Sequence, residues 1–433
     1  MSTAPLRYLH GFGNEFESEA LAGALPQGQF SPQRPAYGLY AEKFTNTAFT
    51  VARESNRRTW FYRIRPSVSQ GAYEPLAHQL LRGAPETGST GSPNALRWSP
   101  PVLDTSSDFI DGLVTLASNG NAALQTGMAV HLFTMDKSMA RRCMVNSDGE
   151  LLLLVQEGTL EIRTECGLLQ TEPGELVVIP RGMKFQISPG TASARGFVCE
   201  NYGHNLRLPE RGPVGSDGYA NDRDFHTPVA AYVDDDDEFE IVCKYQGRLF
   251  RAPVNHNPFD VVAWVGTAVP YKYDLRRFNA LGSITYDHPD PSIYTVLSAP
   301  SDTPGVANVD IVIFPPRWLV AEGTFRPPWF HRNVMSEFVA LLYGQYDAKK
   351  VGFEPGGFSL HNSYVPHGPD ADVFAAARKA ALEPTRLNDT MAFMFETRYV
   401  LNPTPWALAC PAMQANYRDC WRGLERRFDP RTP

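Results

Sequence analysis

Nearly every apolar run in this chain is four to eight residues long and ends at glycine, proline or a polar turn. Such lengths are short for helices and ordinary for strands. The clearest runs are residues 128–135, 195–200, 240–245, 261–265, 308–314, 338–343 and 391–396. Residues 150–156 (ELLLLVQ) and 159–164 (TLEIRT) read as a hairpin around Glu157-Gly158. Residues 175–179 and 184–187 flank Pro180-Arg181-Gly182. The 36 prolines and 34 glycines supply the turns that so many strands require. The pattern predicts a mainly β sandwich or barrel. Helix signals are sparse. Residues 370–382 have an acidic start, an alanine-rich body and a stop before Pro384. Residues 417–428 read as a C-terminal helix, and residues 107–117 are a weaker helix expectation.

A chain of 433 residues is long enough for two or three domains and a sizeable core. The formal net charge of −7 gives no basic footprint for nucleic acid. The acidic run 234–238 reads as a solvated loop. Cys143, Cys166, Cys199, Cys243, Cys410 and Cys420 form no C-x-x-C pair, which fits reduced thiols in a cytoplasmic protein. The N-terminal MSTAPLRYLHGFGNEF has no apolar core of a secretory signal, and no run approaches the length of a membrane span. Gly11-Phe12-Gly13 lacks the third glycine of a dinucleotide fingerprint, and neither a P-loop nor a G-x-S-x-G elbow occurs.

The segment 149–185, GELLLLVQEGTLEIRTECGLLQTEPGELVVIPRGMKF, resembles the core of the cupin barrel, with the G-x5-P-x-G pattern at Gly174, Pro180 and Gly182. Metal-binding cupins place a histidine where this chain has Phe185, and the His-x-His pair is also missing. This half reads as a cupin scaffold without a metal. Glu337 and Gly344 keep the E-x6-G spacing of a second cupin half, with His331 standing for the histidine pair. The expected architecture is therefore a cupin-like, bicupin jelly-roll β-sandwich with a few peripheral helices. Its expected division is a large β-rich domain at 1–280 and a smaller one at 281–433.

Four of the ten histidines fall between His288 and His367. His331, Glu337 and His367 supply two imidazoles and one carboxylate, a set that suits a non-haem Fe(II) with open positions; manganese and zinc accept the same donors. Six residues of straight strand would hold His331 and Glu337 about 20 Å apart, and a straight helix would turn them to different faces. Joint ligation therefore requires a bend inside 332–336, with Arg332-Asn333 its natural place. Pro366 and Gly368 flank His367 and can fix it on a loop. Each histidine alone also reads as an ordinary turn or core residue. His288, in YDHPDPSIY, is a candidate general base or a loop histidine bonded to Asp287 or Asp290. Tyr346 is a candidate for a substrate hydroxyl or a packing partner of Tyr343. His361 reads as a pocket group or a satisfied core residue. Lys349 is a candidate charge for an anionic substrate or a solvated lysine.

Longer blocks narrow these alternatives. YLHGFGNEFESEA at 8–20, PFDVVAW at 258–264, PYKYDLRRFN at 270–279, YDHPDPSIYTVL at 286–297, TFRPPWFHRNVMSEF at 324–338 and PHGPDAD at 366–372 span the chain nearly end to end. With them the chain resembles the homogentisate 1,2-dioxygenase family of tyrosine and phenylalanine degradation. The resemblance implies Fe(II), one per chain, on His331, Glu337 and His367. It implies His288 as proton acceptor, with Tyr346 and His367 against the substrate and His361 in the pocket wall. It implies homogentisate and O2 as substrates, maleylacetoacetate as product, and a hexamer of two trimers. A non-catalytic cupin that binds small molecules, and a metal-dependent cupin isomerase or decarboxylase, are the other classes these residues allow.

Overall fold

The structure, a computed structural model, describes residues 5–85, 91–103, 106–210, 218–280, 294–320, 322–349 and 351–432. Strands dominate these residues, as the short apolar runs predict. The nine-stranded sheet contains Met128–Met135, Glu150–Glu157, Glu175–Ile179 and Ala194–Asn201 side by side with neighbours. It is sandwiched between a seven-stranded and a six-stranded sheet. One face sends Leu151, Leu153, Val177 and Val198 against Ile162, Phe185, Ile187 and Val242 of the seven-stranded sheet. The other sends Leu152, Leu154, Leu176 and Phe197 against Ile311, Phe338, Phe358 and Phe393 of the six-stranded sheet. Burial on both faces explains the unbroken leucine run at 151–154, because a strand covered on both sides has no polar face to alternate with.

The expected hairpin at 150–164 does not form. Glu150–Glu157 pairs with Glu175–Ile179 and Ala194–Asn201, whereas Leu160–Thr164 pairs with Gly167–Thr171 and Lys184–Pro189 in the facing sheet. The chain crosses between sheets at Gly158, whose φ is 75° and where a Cβ would sit 2.2 Å from the Ser193 carbonyl oxygen. It crosses again between Ile179 and Lys184. Consecutive strands that alternate between two facing sheets make a jelly roll, so the chain has the mainly β, cupin-like fold.

The six-stranded sheet carries the histidine region. Its strands, numbered here in chain order, are β1 Leu96–Trp98, β2 Tyr294–Pro300, β3 Ala307–Phe314, β4 Ser336–Tyr343, β5 Phe358–His361 and β6 Met391–Thr397. They lie in the order β2-β3-β6-β4-β5-β1. Alternation along β4 sends Phe338 and Ala340 into the core, so Glu337, Val339 and Leu341 point to the opposite face. β1 closes the edge from a distant part of the chain. Trp98 stacks on Phe358 at 4.9 Å and donates its indole N–H to the Ala407 carbonyl oxygen at 2.8 Å.

The helix expectations shorten or fail. Residues 370–382 yield only α1, Ala371–Ala377, because the chain beyond it is exposed and lacks a packing face to sustain more turns. Residues 417–428 yield one tight helical turn, Tyr417–Trp421. Residues 107–117 contain no helix: Leu113–Ser118 is a strand of the nine-stranded sheet. At Gly112 the chain passes so near its neighbour that a Cβ would meet the Thr134 carbonyl oxygen at 1.8 Å, which only glycine permits.

Candidate metal centre

His331, Glu337 and His367 converge. One ligand atom from each lies within 4.8 Å of the others, and no second such trio of His, Cys, Asp or Glu occurs among the described residues. The bend expected at 332–336 is present. Asn333 accepts from the Met335 backbone N–H through its side-chain oxygen at 2.6 Å, turning the chain before β4 begins. Its amide also donates to Glu337 Oε1 at 2.7 Å. The two histidines are fixed by backbone: the N–H of His331 donates to the His367 carbonyl oxygen at 3.0 Å, and the reverse bond is 3.1 Å. Their ring centroids are 4.2 Å apart.

Each ring is also aimed. His331 Nδ1 bonds the Trp329 carbonyl oxygen and His367 Nδ1 bonds the Val365 carbonyl oxygen, both at 2.9 Å. That leaves both Nε2 atoms toward Glu337, at 3.7 Å for His331 and 2.9 Å for His367. Fixing Nδ1 on a carbonyl sets the tautomer that exposes Nε2, the arrangement of metal-bound histidines. The donor set thus fits an iron of this ligand class. Burial alone would raise the pKa of Glu337, but hydrogen bonds from His331 and His367 outweigh it and hold the carboxyl well below the usual range. Burial would lower that of His331; its bonds to Glu337 and Trp329 reverse this and raise it.

His361 faces Glu337 across the β4–β5 ladder. Its ring stacks on His367 at 4.1 Å, and its Nε2 bonds the Tyr417 hydroxyl at 2.9 Å. Burial first, then the neighbouring His367 charge, pushes its pKa well below the ordinary value, so it stays neutral. Tyr346 is half-buried and packs edge-on against Phe314 at 5.2 Å and Phe353 at 5.6 Å, rather than against Tyr343. Burial drives its phenol pKa well up. Lys349 is neither solvated nor free: its ammonium donates to Asp370 Oδ1 at 2.8 Å and to the Gly368 carbonyl oxygen at 2.7 Å. His288 lies outside the described residues.

These groups line a cavity of about 550 Å³, room for a small aromatic acid. His331, Glu337, Tyr346, His361 and His367 share its wall with Trp329 and Phe353. Sequence reasoning placed Asn333 only as a bend and missed Arg97 and Tyr417, which also line it. Arg97 stands far from the histidine cluster in the chain, and only the β1–β5 pairing brings it in.

Among solved structures, the chain is similar to the protein YlbA from E. coli, at 9% identity and a TM-score of 0.32, over 72% of this chain and 94% of that one. It is similar to a putative glyoxylate-induced protein from Pseudomonas aeruginosa, at 11% identity and 0.31, over 75% and 97%. A cupin 2 conserved barrel domain protein from Leptotrichia buccalis matches at 10% and 0.29, over 69% and 96%. Likenesses this distant carry no argument about chemistry. The family comparison is of another order: residues 7–275 match the homogentisate 1,2-dioxygenase N-terminal model and residues 276–428 the C-terminal model. The aimed donor trio sits in a chain matched by both models from residue 7 to residue 428, and the protein belongs to the homogentisate 1,2-dioxygenase family, non-haem iron enzymes that open an aromatic ring with O2.

Proposed function

We propose that His331, Glu337 and His367 hold one Fe(II) per chain, and that the cavity beside them is where homogentisate and O2 react to give maleylacetoacetate. The family supplies the activity and the substrates. One observation supports the assignment to these residues: three donor atoms, each oriented by its own hydrogen bonds, meet within 4.8 Å at the wall of a substrate-sized cavity.

When bound, iron supplies a redox-active centre with positions left open beyond its three protein ligands. The chain supplies the rest. The Trp329 and Val365 carbonyl oxygens keep the two imidazoles turned inward. Asn333 holds Glu337 from the side away from His367. His288 is the proton acceptor for a substrate hydroxyl. Tyr346 contacts the ring substituents, and neutral His361 backs His367. Enclosing both reactants turns a collision into an internal step, worth about 7–11 kcal/mol of barrier.

In this reading the division near residue 280 follows the turn-rich sequence before the histidine cluster, the cytoplasmic location follows the six scattered cysteines, and the hexamer of two trimers follows the family. O2 uptake with homogentisate, with and without an iron chelator, tests it. Stoichiometric uptake that the chelator abolishes and added Fe(II) restores is the expected result. Metal-free protein with no uptake, even after loading with Fe(II), would point to a binding cupin instead.

A further inference from the structure

The cavity wall carries one buried cation that the reaction outlined above leaves idle. Arg97 is 6% exposed and lines the cavity from β1. Its guanidinium lies over the Tyr417 ring at 4.2 Å, and its Nε donates to Gln414 Oε1 at 2.6 Å. Its Nη1 is buried and has no hydrogen-bond partner. No carboxylate forms an ion pair with it among the described residues. Two other cations of the wall are ion-paired. Lys349 is paired with Asp370 at 2.8 Å and Arg317 with Asp347 at 2.6 Å. Arg326 also has an unpartnered Nε, but it stands at the half-buried rim, where the Glu383 carbonyl oxygen accepts from its Nη1, whereas Arg97 is buried. A buried guanidinium without a counter-charge is costly, which points to an anion that arrives from outside the chain.

Register fixes where that anion would lie. Glu337 pairs with His361, Val339 with Ser359, and Ser359 with Arg97. Arg97 and Glu337 therefore share a sheet face, two strands and two residues apart. With about 4.8 Å per strand and about 3.3 Å per residue, their backbones are roughly 12 Å apart, and both side chains rise from that face to line the cavity. A single substituted benzene ring bridges such a gap. Gly352 leaves space for the guanidinium, since a Cβ there would come within 2.7 Å of Nη2. The planar fork of arginine matches a carboxylate with paired hydrogen bonds.

We propose that Arg97 binds the carboxylate of the substrate's acetate arm and so makes the site prefer arylacetates over uncharged hydroquinones. The proposal rests on the reading of the site given above. Arg97 is then a specificity residue contributed by a strand far from the ligand trio in sequence.

The test compares Arg97→Met and Arg97→Lys with the parent enzyme, all loaded with iron. Homogentisate and its uncharged amide, 2,5-dihydroxyphenylacetamide, are titrated without O2 for Kd and turned over with O2 for kcat and KM. Arg97→Met should raise the Kd and KM for homogentisate by about 10–100-fold, with the amide changed less than about threefold. Arg97→Lys should recover part of the loss. An equal loss on both compounds, or an unchanged Kd for homogentisate, would overturn the proposal. Should Arg97→Met not fold, phenylacetate and phenylacetamide are compared as ligands of the parent enzyme. Phenylacetate should bind at least about tenfold more tightly, and equal binding would overturn the proposal. Failure of the parent enzyme to consume O2 with homogentisate would instead sink the functional reading, and the anaerobic phenylacetate comparison would still decide the role of Arg97.

Discussion

At the residue scale, the trio is held in place before any ion arrives. Every donor has a protein partner that aims it: Trp329 for His331, Val365 for His367, Asn333 for Glu337. His331→Ala removes one of the three proposed ligands and should abolish both iron content and O2 uptake; full iron occupancy in that variant would show the ligand set to be wrong. Asn333→Ala keeps all three proposed ligands but releases the carboxylate and the bend. Its iron affinity should fall about 10–100-fold, the usual cost of losing a partner that orients a ligand, read by titrating iron against a competing chelator. His288→Ala should leave iron bound and slow turnover, and metal analysis beside steady-state kinetics separates these two effects. The candidate ligands were legible in the sequence because His331, Glu337 and His367 fall in one short window. Arg97 and Tyr417 were not legible, since nothing near either residue in the chain marks it as facing the histidines.

At the element scale, strand positions follow from the short apolar runs, but their partners do not. The run at 151–154 is apolar without interruption, so it needs cover on both faces. Leu160–Thr164 alternates buried and half-buried residues and belongs to an outer sheet. That contrast was present in the sequence and argues against a hairpin; the short spacer at Glu157-Gly158 pointed the other way. The error at 107–117 has a different origin, because backbone proximity at Gly112 leaves no trace in apolar spacing. β1 offers a test at this scale. Trp98 is 2% exposed, stacked and hydrogen-bonded. Trp98→Ala should cost about 3–5 kcal/mol, measured by denaturant unfolding, and should also loosen β5, which carries His361. A loss below about 1 kcal/mol would show that β1 is peripheral to the sheet.

At the scale of the whole molecule, a buried ionic cluster sits between the layers, away from the cavity. Lys244 donates to Glu200 at 2.7 Å and to Asp148 at 2.8 Å, and His131 Nε2 bonds Glu200 at 3.1 Å. Burial works to raise the pKa of Glu200, but the Lys244 charge and the His131 bond hold it far below the carboxylate range. Burial, followed by the opposing pull of Glu200, leaves the His131 pKa lowered. Both shifts act in the same direction on stability. A depressed histidine loses its contribution as pH falls below the ordinary value of 6.5, where the unfolded chain takes up the proton. A depressed carboxylate loses its contribution as pH falls below the ordinary 4.5. Melting temperature should therefore decline from about pH 6.5 and fall faster below about pH 4.5; a flat profile across that window would contradict it. Lys244→Met strands Glu200 and should cost about 3–5 kcal/mol, in a variant whose cavity is untouched. The edge supplied by Leu96–Trp98 has a further consequence. Cut away from it, residues 294–432 would present the naked rim of Phe358–Leu360, a row of amide and carbonyl groups seeking any extended segment. Such a fragment should clump when expressed alone and be rescued by an added peptide spanning residues 91–103, so the part that bears the donor trio depends on a short splint from far earlier in the chain.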